Sequence, residues 1–303
     1  MTVSCDADNV EYSATAEDVA NACLSLANCD LEQDVIFAEV NGEFIGYGRC
    51  FWYLEANDGP YLYDFLVAVV PEWRRQGIGQ VLLRWLESRL RTIAAEHPGE
   101  HSKFLQSCTA HGHVGTETML EEEGYKPVRY SNEMHRETLD DIPNFPMPAG
   151  LEVRPVLPEH YRAIWGTAEE ASQDHWGYTP STEEQYQAWL IHKTVFQPHL
   201  WQIAWDVETD QIAGQVRTFI NHAQNEKYDC KRGFTEFICV RRPWRRRGLA
   251  RALISLSLKV QKEQGMTESV LGVDSENISG ANRLYEDCGF RVVKRHSVYR
   301  KLL

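Results

Sequence analysis

The amino-acid sequence predicts two tandem domains of the α/β or α+β class, each with a mixed sheet flanked by helices. Short strand-like segments alternate with amphipathic helical segments along the whole chain. One element also occurs twice, at residues 65–86 and 237–256: a strand, then Pro, Trp, an arginine turn with a glycine, and an amphipathic helix. At 303 residues, the chain is long enough for two domains that each bury a core.

The first domain is predicted over residues 1–140. Its elements, in order, are a helix at 16–26, a hairpin of strands 34–40 and 44–52 around Asn41-Gly42, a strand at 61–69, a helix ending near Glu96, a strand at 104–108, a helix at 116–123 and a strand or strand pair at 126–136. Five of the twelve prolines lie between Pro143 and Pro158, so a stiff linker is predicted at 141–150.

The second domain is predicted over residues 151–303. Its elements are a strand at 151–154, helices at 158–170 and 181–190, hairpin strands at 200–206 and 211–220, a strand at 237–240, the helix after the arginine turn, a strand at 269–273, a helix at 279–287 and closing strands at 290–301. Each domain thus repeats one order of elements.

Charge and cysteine usage exclude several classes of protein. A net charge of −13 argues against nucleic acid or an anionic membrane as a partner, because both require a basic surface. No apolar run approaches the roughly 18 residues of a membrane span, and no secretory signal is visible. The eight cysteines have no disulfide or metal-binding spacing. We therefore expect a cytoplasmic monomer or homodimer without a metal.

The second arginine turn has the features of an anion site. Six arginines lie between Arg241 and Arg251, and Gly248 has no side chain to keep a ligand from the backbone. The helix that follows begins with unpaired N–H groups at the positive end of its dipole. These features predict a site for a phosphate or diphosphate. Alternatives are a solvated helix face or a nucleic-acid patch.

Two motifs resemble those of the GNAT superfamily of N-acetyltransferases. One is Arg/Gln-x-x-Gly-x-Gly/Ala between a strand and a helix, and the other runs from Val273 through Asn277, Asn282 and Tyr285 to Gly289-Phe290. The resemblance covers essentially the whole chain and is greatest to tandem members of the mycothiol synthase type, in which the C-terminal domain is catalytic. It implies acetyl-CoA as co-substrate, no metal, and a sheet splayed between its fourth and fifth strands.

The resemblance also implies which residues hold the co-substrate. In the second domain these are Ile238, Cys239, Val240, Arg245, Arg246, Arg247, Gly248, Leu249, Ala250, Asn277 and Asn282. Backbone N–H groups between Ile238 and Val240 would meet the thioester carbonyl. A second possible CoA site in the first domain comprises Val69, Arg74, Arg75, Gln76, Gly77, Ile78 and Gly79.

Two residues are predicted to be catalytic. Tyr285 matches the tyrosine of the family and would act as a general acid on the leaving thiolate, although a core tyrosine is the alternative. Glu236 is the candidate general base, and period-two alternation places it on one strand face with Ile238 and Val240. In the mycothiol synthase type a glutamate falls at Phe234 instead, which puts that type's acceptor in doubt. His175 is an alternative base.

The first domain has lost this catalytic pattern. Leu120 occupies the position of Tyr285, and the asparagines have no counterparts. We expect a degenerate, non-catalytic domain that either holds a CoA-like anion or only braces its neighbour. The leading hypothesis is acetyl transfer from acetyl-CoA to a primary amine of a small molecule or peptide, directly in a ternary complex. Alternatives are a non-catalytic CoA sensor or scaffold, another acyl-CoA, or a hydroxyl acceptor.

Overall fold

The computed structural model describes residues 28–277 and 280–303. The predicted helix at 16–26 and the first residue of the predicted helix at 279–287 therefore lie outside the described residues. The strands are β1 Val35–Val40, β2 Glu43–Leu54, β3 Tyr61–Val69, β4 Lys103–Ala110, β5 Lys126–Arg136, β6 Leu151–Val153, β7 Gln202–Asp206, β8 Ile212–Phe219, β9 Arg232–Val240, β10 Glu268–Asp274 and β11 Arg291–Leu302. The α-helices of these residues are α1 Ile78–Glu96, α2 Val114–Glu122, α3 Tyr161–Ser172, α4 Glu183–Ile191, α5 His222–Lys227, α6 Leu249–Glu263 and α7 Ala281–Asp287.

The chain folds into two compact units, and each unit takes segments from both halves of the sequence. The first comprises the chain up to Tyr130 with Thr182–Ala188 and Arg295–Leu303, and the second comprises Ser131–Ser181 and Trp189–Lys294. The predicted limits 1–140, 141–150 and 151–303 describe the sequence repeat and stay a prediction at that level.

In the first unit the strands are ordered β1-β2-β3-β4-β11. The predicted hairpin forms, with Asn41 and Gly42 at φ values of 52° and 86° in its turn. β3 and β4 pair in parallel only from Tyr61 to Asp64, and β11 pairs antiparallel with β4. Leucines of α1 cover one face of this sheet and form its core with Tyr63, Phe65 and Leu120.

In the second unit the strands are ordered β5-β10-β9-β8-β7-β6. β10 and β9 are parallel but pair over only three positions, from Glu268–Arg232 to Val270–Phe234. Counted from β6, these are the fourth and fifth strands of the second repeat, so the predicted splay is confirmed. The mixed, mostly antiparallel sheet with flanking helices confirms the fold class.

The closing strands of the two repeats pair outside their own repeat. Residues 131–136 of β5 pair with β10, and residues 296–302 of β11 pair with β4. The sequence gives no signal for this exchange, because each closing strand follows the same glycine-aromatic turn, Gly124-Tyr125 or Gly289-Phe290. The structure distinguishes the two turns. A Cβ on Gly289 would lie 1.6 Å from Arg136 Nη1, whereas one on Gly124 would meet nothing within 4 Å.

The proline-rich segment at 141–150 is a packed strap along the second unit. Ile142, Phe145 and Met147 pack against the core formed by α6 and the sheet. Arg247 Nη2 donates to the carbonyl of Ala149 at 2.9 Å. The segment therefore stabilises the arginine turn as well as linking the repeats. Over 28–277 and 280–303, no helix combines the length and the apolar composition needed to cross a bilayer.

Candidate active site

The site forms where β9 leaves β10. Beyond Phe234 the two strands no longer pair. On its other side β9 has one residue more than β8 between the pairs Gln215–Cys239 and Arg217–Glu236, which defines a β-bulge, and Phe237 lies at φ 49° within it. A bulge removes backbone groups from the ladder, so N–H donors near Ile238 become available to a ligand.

The bulge changes the face on which Glu236 lies. The neighbouring Thr235 faces α6, because its hydroxyl accepts from Gln261 Nε2 at 2.7 Å. Ile238 and Val240 also pack against the α6 core. Since neighbouring strand residues alternate, Glu236 lies on the opposite face, and the prediction that it shares a face with Ile238 and Val240 is wrong. The inserted residue resets the alternation.

Glu236 has the properties of a general base. Its Oε1 accepts the N–H of Gly272 at 3.1 Å, at the point where β10 has parted from β9. Burial raises the pKa of Glu236 to about 7, and the charge of Glu133 raises it further, against the effect of the N–H groups of Gly272 and Phe237. A carboxyl that titrates near neutral pH can accept a proton from an ammonium group and release it again.

Tyr285 on α7 lies in the same core, with 7% of its surface exposed. Burial raises the pKa of Tyr285, and the carboxylate of Glu236 and the thiols of Cys288 and Cys239 raise it further. Its hydroxyl is therefore protonated at neutral pH and able to donate a hydrogen bond. Tyr285 can be both a core residue and a proton donor, because its ring packs in the core while its hydroxyl experiences the charge of Glu236.

The second arginine turn has the backbone of an anion site. Arg246 and Gly248 lie at φ values of 63° and 88°, and α6 begins directly after them. Its first hydrogen bond runs from the Ala252 N–H to the Gly248 carbonyl at 3.2 Å, so the N–H groups of its first turn are left for a ligand. A Cβ on Gly248 would meet nothing within 4 Å, so the positive φ rather than packing requires glycine.

The three predicted arginines of the turn differ in role. Arg245 Nε donates to the Val240 carbonyl at 2.9 Å, and Arg247 is held by the strap. Arg246 is exposed and makes no hydrogen bond or ion pair with any residue the structure describes. Arg245 and Arg247 thus fix the turn, and Arg246 is the cation available to a diphosphate. Leu249 is buried in the core, so it and Ala250 would contribute their backbone N–H groups.

Asp174 forms ion pairs with arginines of the second arginine turn and is too weakly basic to act as a general base. Its carboxylate accepts from Arg245 Nη1 at 2.9 Å and from Arg242. Hydrogen bonds from Arg242 and Arg245 lower the pKa of Asp174 to about 2. A carboxylate of such low basicity takes up no proton at neutral pH. Phe234, where the mycothiol synthase type would have a glutamate, stacks on Phe219 with ring centroids 4.6 Å apart.

Of the two predicted asparagines, Asn277 lies in the turn after β10 and Asn282 lies in the first turn of α7. Asn282 Nδ2 donates to the carbonyls of Asp274 and Ser275, both at 3.2 Å, and its Oδ1 accepts from Asn132 at 3.4 Å. The Asn277 N–H donates to the Asp274 carbonyl at 3.2 Å. Asn282 therefore fixes the turn that leads into α7, and its contact with the co-substrate stays a prediction.

The first repeat reproduces the arginine turn almost residue for residue. Arg75 and Gly77 lie at φ values of 61° and 83°, and Arg74 Nε donates to the Val69 carbonyl at 3.0 Å. The Val81 N–H donates to the Gly77 carbonyl at 3.1 Å, as Ala252 does to Gly248. A cavity of about 540 Å³ opens here, lined among others by Val69, Arg74, Arg75, Gly77, Gly79 and Met119. Ile78 begins α1, and Gln76 Nε2 donates to the Glu72 carbonyl at 3.2 Å.

The first repeat lacks counterparts of the β9 bulge, Glu236 and Tyr285. β2 and β3 pair without a register shift from Gly46–Val69 to Leu54–Tyr61, so no bulge frees backbone groups. Phe65 lies where the second repeat has Glu236, and the fully buried Leu120 replaces Tyr285. The arginine turn can thus form in a repeat that has no counterpart of Glu236 or Tyr285.

Sequence reasoning missed Arg217 on β8. It is buried beside the bulge, with its Cζ 3.8 Å from the centroid of the Phe237 ring. The signal was present, because a charged residue interrupts the otherwise apolar or neutral strand Ile212–Phe219. A buried arginine in such a strand points to a specific partner.

Comparison with known proteins shows relatives over most of the chain. A model of the acetyltransferase (GNAT) family matches residues 6–102 and 162–290. The mycothiol acetyltransferase of Renibacterium salmoninarum is 26% identical over 243 residues, which cover 78% of this chain and 67% of that protein. A GCN5-related N-acetyltransferase from Sphaerobacter thermophilus superposes with a TM-score of 0.72 at 28% identity, covering 99% of this chain and 90% of its own. A tandem GNAT protein from the clavulanic acid biosynthesis pathway has the same fold, with a TM-score of 0.68, 14% identity and coverages of 99% and 92%.

The raised pKa of Glu236 predicts how a Glu236→Gln variant responds to pH. Below pH 4.5, the ordinary pKa of glutamate, the Glu236 carboxyl is protonated in both the folded and the unfolded chain, and its stabilisation of the fold is fully present. As pH rises to about 7, the unfolded chain ionises this group more readily than the folded chain does, so that stabilisation is lost. Glutamine keeps an oxygen for the Gly272 N–H and never ionises. Urea unfolding from pH 4.5 to 8 should show the variant gaining on the wild type by up to about 3 kcal/mol. A difference that does not change with pH would contradict the burial of an ionised carboxylate.

Proposed function

This chain belongs to the acetyltransferase (GNAT) family of transferases, and we propose that its second repeat transfers an acetyl group from acetyl-CoA to a primary amine. Enzymes of this family use an acyl-CoA as donor. The acceptor would be a small molecule or peptide, bound with acetyl-CoA in a ternary complex. The single observation that supports amine chemistry best is Glu236, a carboxyl with a pKa of about 7 at the opening of the sheet.

Glu236 would prepare the acceptor. An amine is protonated at neutral pH and cannot attack until it loses a proton. The ionised carboxylate of Glu236 would take that proton, and the nitrogen lone pair would then attack the thioester carbonyl carbon. Because the Gly272 N–H fixes Glu236, its carboxylate is already oriented to take the proton before the amine substrate binds.

Backbone donors and Tyr285 would handle the charge that develops. Attack places negative charge on the carbonyl oxygen, which N–H groups released by the bulge between Ile238 and Val240 would stabilise. The C–S bond then breaks, and the CoA thiolate departs toward the Tyr285 hydroxyl. That hydroxyl holds its proton at neutral pH, so it can hydrogen-bond or protonate the sulfur.

The arginine turn would hold the diphosphate of acetyl-CoA. The first turn of α6 supplies N–H groups, and Arg246 supplies the free positive charge. The first repeat shares the turn, has a cavity of about 540 Å³, and has Arg75, which makes no hydrogen bond or ion pair with a described residue. It lacks counterparts of the bulge, Glu236 and Tyr285. It would therefore bind a CoA-type ligand without transferring the acetyl group. We propose that the acetyl transfer by the second repeat and the CoA binding by the first repeat take place in the cytoplasm.

The activity is tested by incubating the chain with acetyl-CoA and a panel of amines and recording a gain of one acetyl group by mass spectrometry. With an acceptor from that screen, Tyr285→Phe should lower kcat about 10²- to 10⁴-fold, because a positioned proton donor is lost. The ring remains, so the affinity for acetyl-CoA should change little. The matched control is Leu120→Phe in the first repeat, which should leave kcat unchanged. Wild-type kcat in Tyr285→Phe would remove the tyrosine from the mechanism.

The pKa of Glu236 sets the pH dependence of transfer. A carboxylate is a base only when ionised, so kcat/KM of the wild type should rise with pH through about 7. Glu236→Gln should lack this rise, and its deficit should be largest above pH 7. Rates measured from pH 5.5 to 9 decide the matter. If the two profiles coincide, the base is another group, with His175 or an ordered water as the next candidates.

The two turns give a matched pair for testing donor binding. A valine at Gly248 or Gly77 would have to adopt a φ near 88° or 83°, which a β-branched residue disfavours strongly. Calorimetric titration of acetyl-CoA should show two binding events in the wild type and one in each variant. Gly248→Val should lose turnover, and Gly77→Val should keep it. Two undisturbed events in both variants would show that the turns are only structural.

A further inference from the structure

Arg217 is a buried cation whose hydrogen-bonding groups are unused. Only 3% of its surface is exposed, and its Nε and Nη1 are buried without a hydrogen-bond partner in the described residues. The rings of Phe237 and Trp189 lie 3.8 Å and 5.2 Å from its Cζ. Burial lowers the pKa of Arg217 to about 10, so the side chain remains charged at neutral pH. A buried charge without a partner costs several kcal/mol, which aromatic contacts offset only in part.

No group among the described residues of the second unit forms an ion pair with Arg217. Cys239 is near, but burial raises its pKa to about 11, so the thiol is neutral. The charge of Glu169 acts on Arg217, but the Glu169 oxygens accept instead from the Ser181 hydroxyl at 2.8 Å and the Ser181 N–H at 3.0 Å. Glu236 lies opposite Arg217 in the strand register, but its carboxylate is directed to Gly272.

Other buried polar groups near Arg217 are also unpartnered among the described residues, including Nε2 and Oε1 of Gln215, two residues earlier on the same face of β8. Trp201 Nε1 is also buried without a partner in the described part of the chain, and its ring stacks on Trp189 at 5.4 Å with an interplanar angle of 15°. Arginine and tryptophan side chains donate and never accept. No carboxylate of the described residues accepts from Arg217 Nε or Nη1, so the charge of Arg217 favours an anionic acceptor.

Arg217 is adjacent to the proposed base. Arg217 and Glu236 are paired residues of neighbouring antiparallel strands, whose side chains share one face of the sheet. Phe237, which covers the Arg217 guanidinium, directly follows Glu236 in the chain. An anion on Arg217 would thus lie within a few bonds of a nitrogen placed at Glu236.

We propose that Arg217 binds a carboxylate of the acceptor, so that the acceptor is an amine that itself carries a carboxylate, such as an amino acid. Each unused N–H of Arg217 can donate a charge-assisted hydrogen bond to a carboxylate oxygen, and the guanidinium charge favours an anionic acceptor. This inference rests on the proposed amine acetylation and makes Arg217 the residue that determines acceptor specificity. The aromatic contacts orient the guanidinium and exclude water from the pair.

The wild type alone gives a first test. Protein amino acids and straight-chain ω-amino acids are each paired with their carboxamides and assayed with saturating acetyl-CoA. Rates are compared over a range of pH so that differences in amine pKa are removed. For the best acceptor, kcat/KM of the acid should exceed that of the amide by about 10- to 100-fold, the effect of one charge-assisted pair. Equal use of acid and amide across the panel would overturn the proposal.

Arg217→Met provides the second test. Methionine fills a similar volume without a charge, so the unfolding temperature should stay the same or rise. The preference for acids should disappear through a higher KM for the acid, while KM for acetyl-CoA and kcat with the amide stay within about twofold of wild type. Arg217→Lys should keep part of the preference, because it keeps the charge but not the planar fork. Equal loss on acid and amide, with a lower unfolding temperature, would show a structural role and overturn the proposal.

The first repeat supplies a matched control. Gly46 and Gly214 pair with the last residues of β3 and β9, and Arg49 and Arg217 follow them by three residues. Arg49→Met should leave acceptor preference unchanged, since the first repeat has neither the bulge nor the base.

A readout without turnover separates this inference from the proposed function. If no amine of the panel is acetylated, the proposed amine acetylation is wrong. The proposed carboxylate site at Arg217 is then tested by binding alone. With CoA present, the amino acids should raise the melting temperature of the wild type more than their carboxamides do, and Arg217→Met should abolish that difference. Equal shifts by acids and amides, or a difference that persists in the variant, would reject a carboxylate site at Arg217.

Discussion

The parting of β9 from β10 is the constraint on which the rest of the site depends. Once two strands separate, their facing N–H and C=O groups lose their partners and need others. Glu236 satisfies one of them, the Gly272 N–H, and in doing so is fixed in a partly desolvated position that raises its pKa to about 7. The bulge at Phe237 opens the other side of the same strand. The proposed base and the proposed backbone donors thus both depend on one local departure from regular sheet geometry.

The two repeats show which parts of this arrangement are independent. Both contain the turn with a left-handed arginine and glycine, held by an arginine that donates to the last carbonyl of the preceding strand. Only the second contains the bulge, and only the second has a carboxyl and a hydroxyl at the positions of Glu236 and Tyr285. Because a helix N-terminus and its turn are local structures, they form in either sheet. The proposed base, by contrast, lies on a strand whose pairing is interrupted on both sides.

Local patterns made much of this predictable, and long-range pairing did not. The bounds of β3 agree with the sequence prediction, and the turn at Gly248 has the backbone that its glycine and the following helix imply. The bulge was missed because Phe237 carries no glycine or other residue that marks a positive φ, so simple alternation misassigned the face of Glu236. The exchange of β5 and β11 was missed because strand partners depend on competition between similar edges. Arg217 was visible as a charge in a buried strand, but its missing partner is a property of the packed structure.

The two faces of β8 and β9 differ in how their buried polar groups are hydrogen-bonded. Toward α6, the hydroxyls of Thr218, Thr235, Ser257 and Ser269 are buried and hydrogen-bonded to one another at 2.6 to 3.3 Å. On the other face Arg217 is buried as deeply, and its Nε and Nη1 have no partner in the described chain. The hydroxyls on the α6 face are thus satisfied by one another, although Gln261 Oε1 beside them has no partner among the described residues. Arg217 differs from these groups because it carries a charge, and a buried charge without a counterion costs more stability than a neutral group does. In the proposed function, an anionic acceptor bound there would recover part of that free energy.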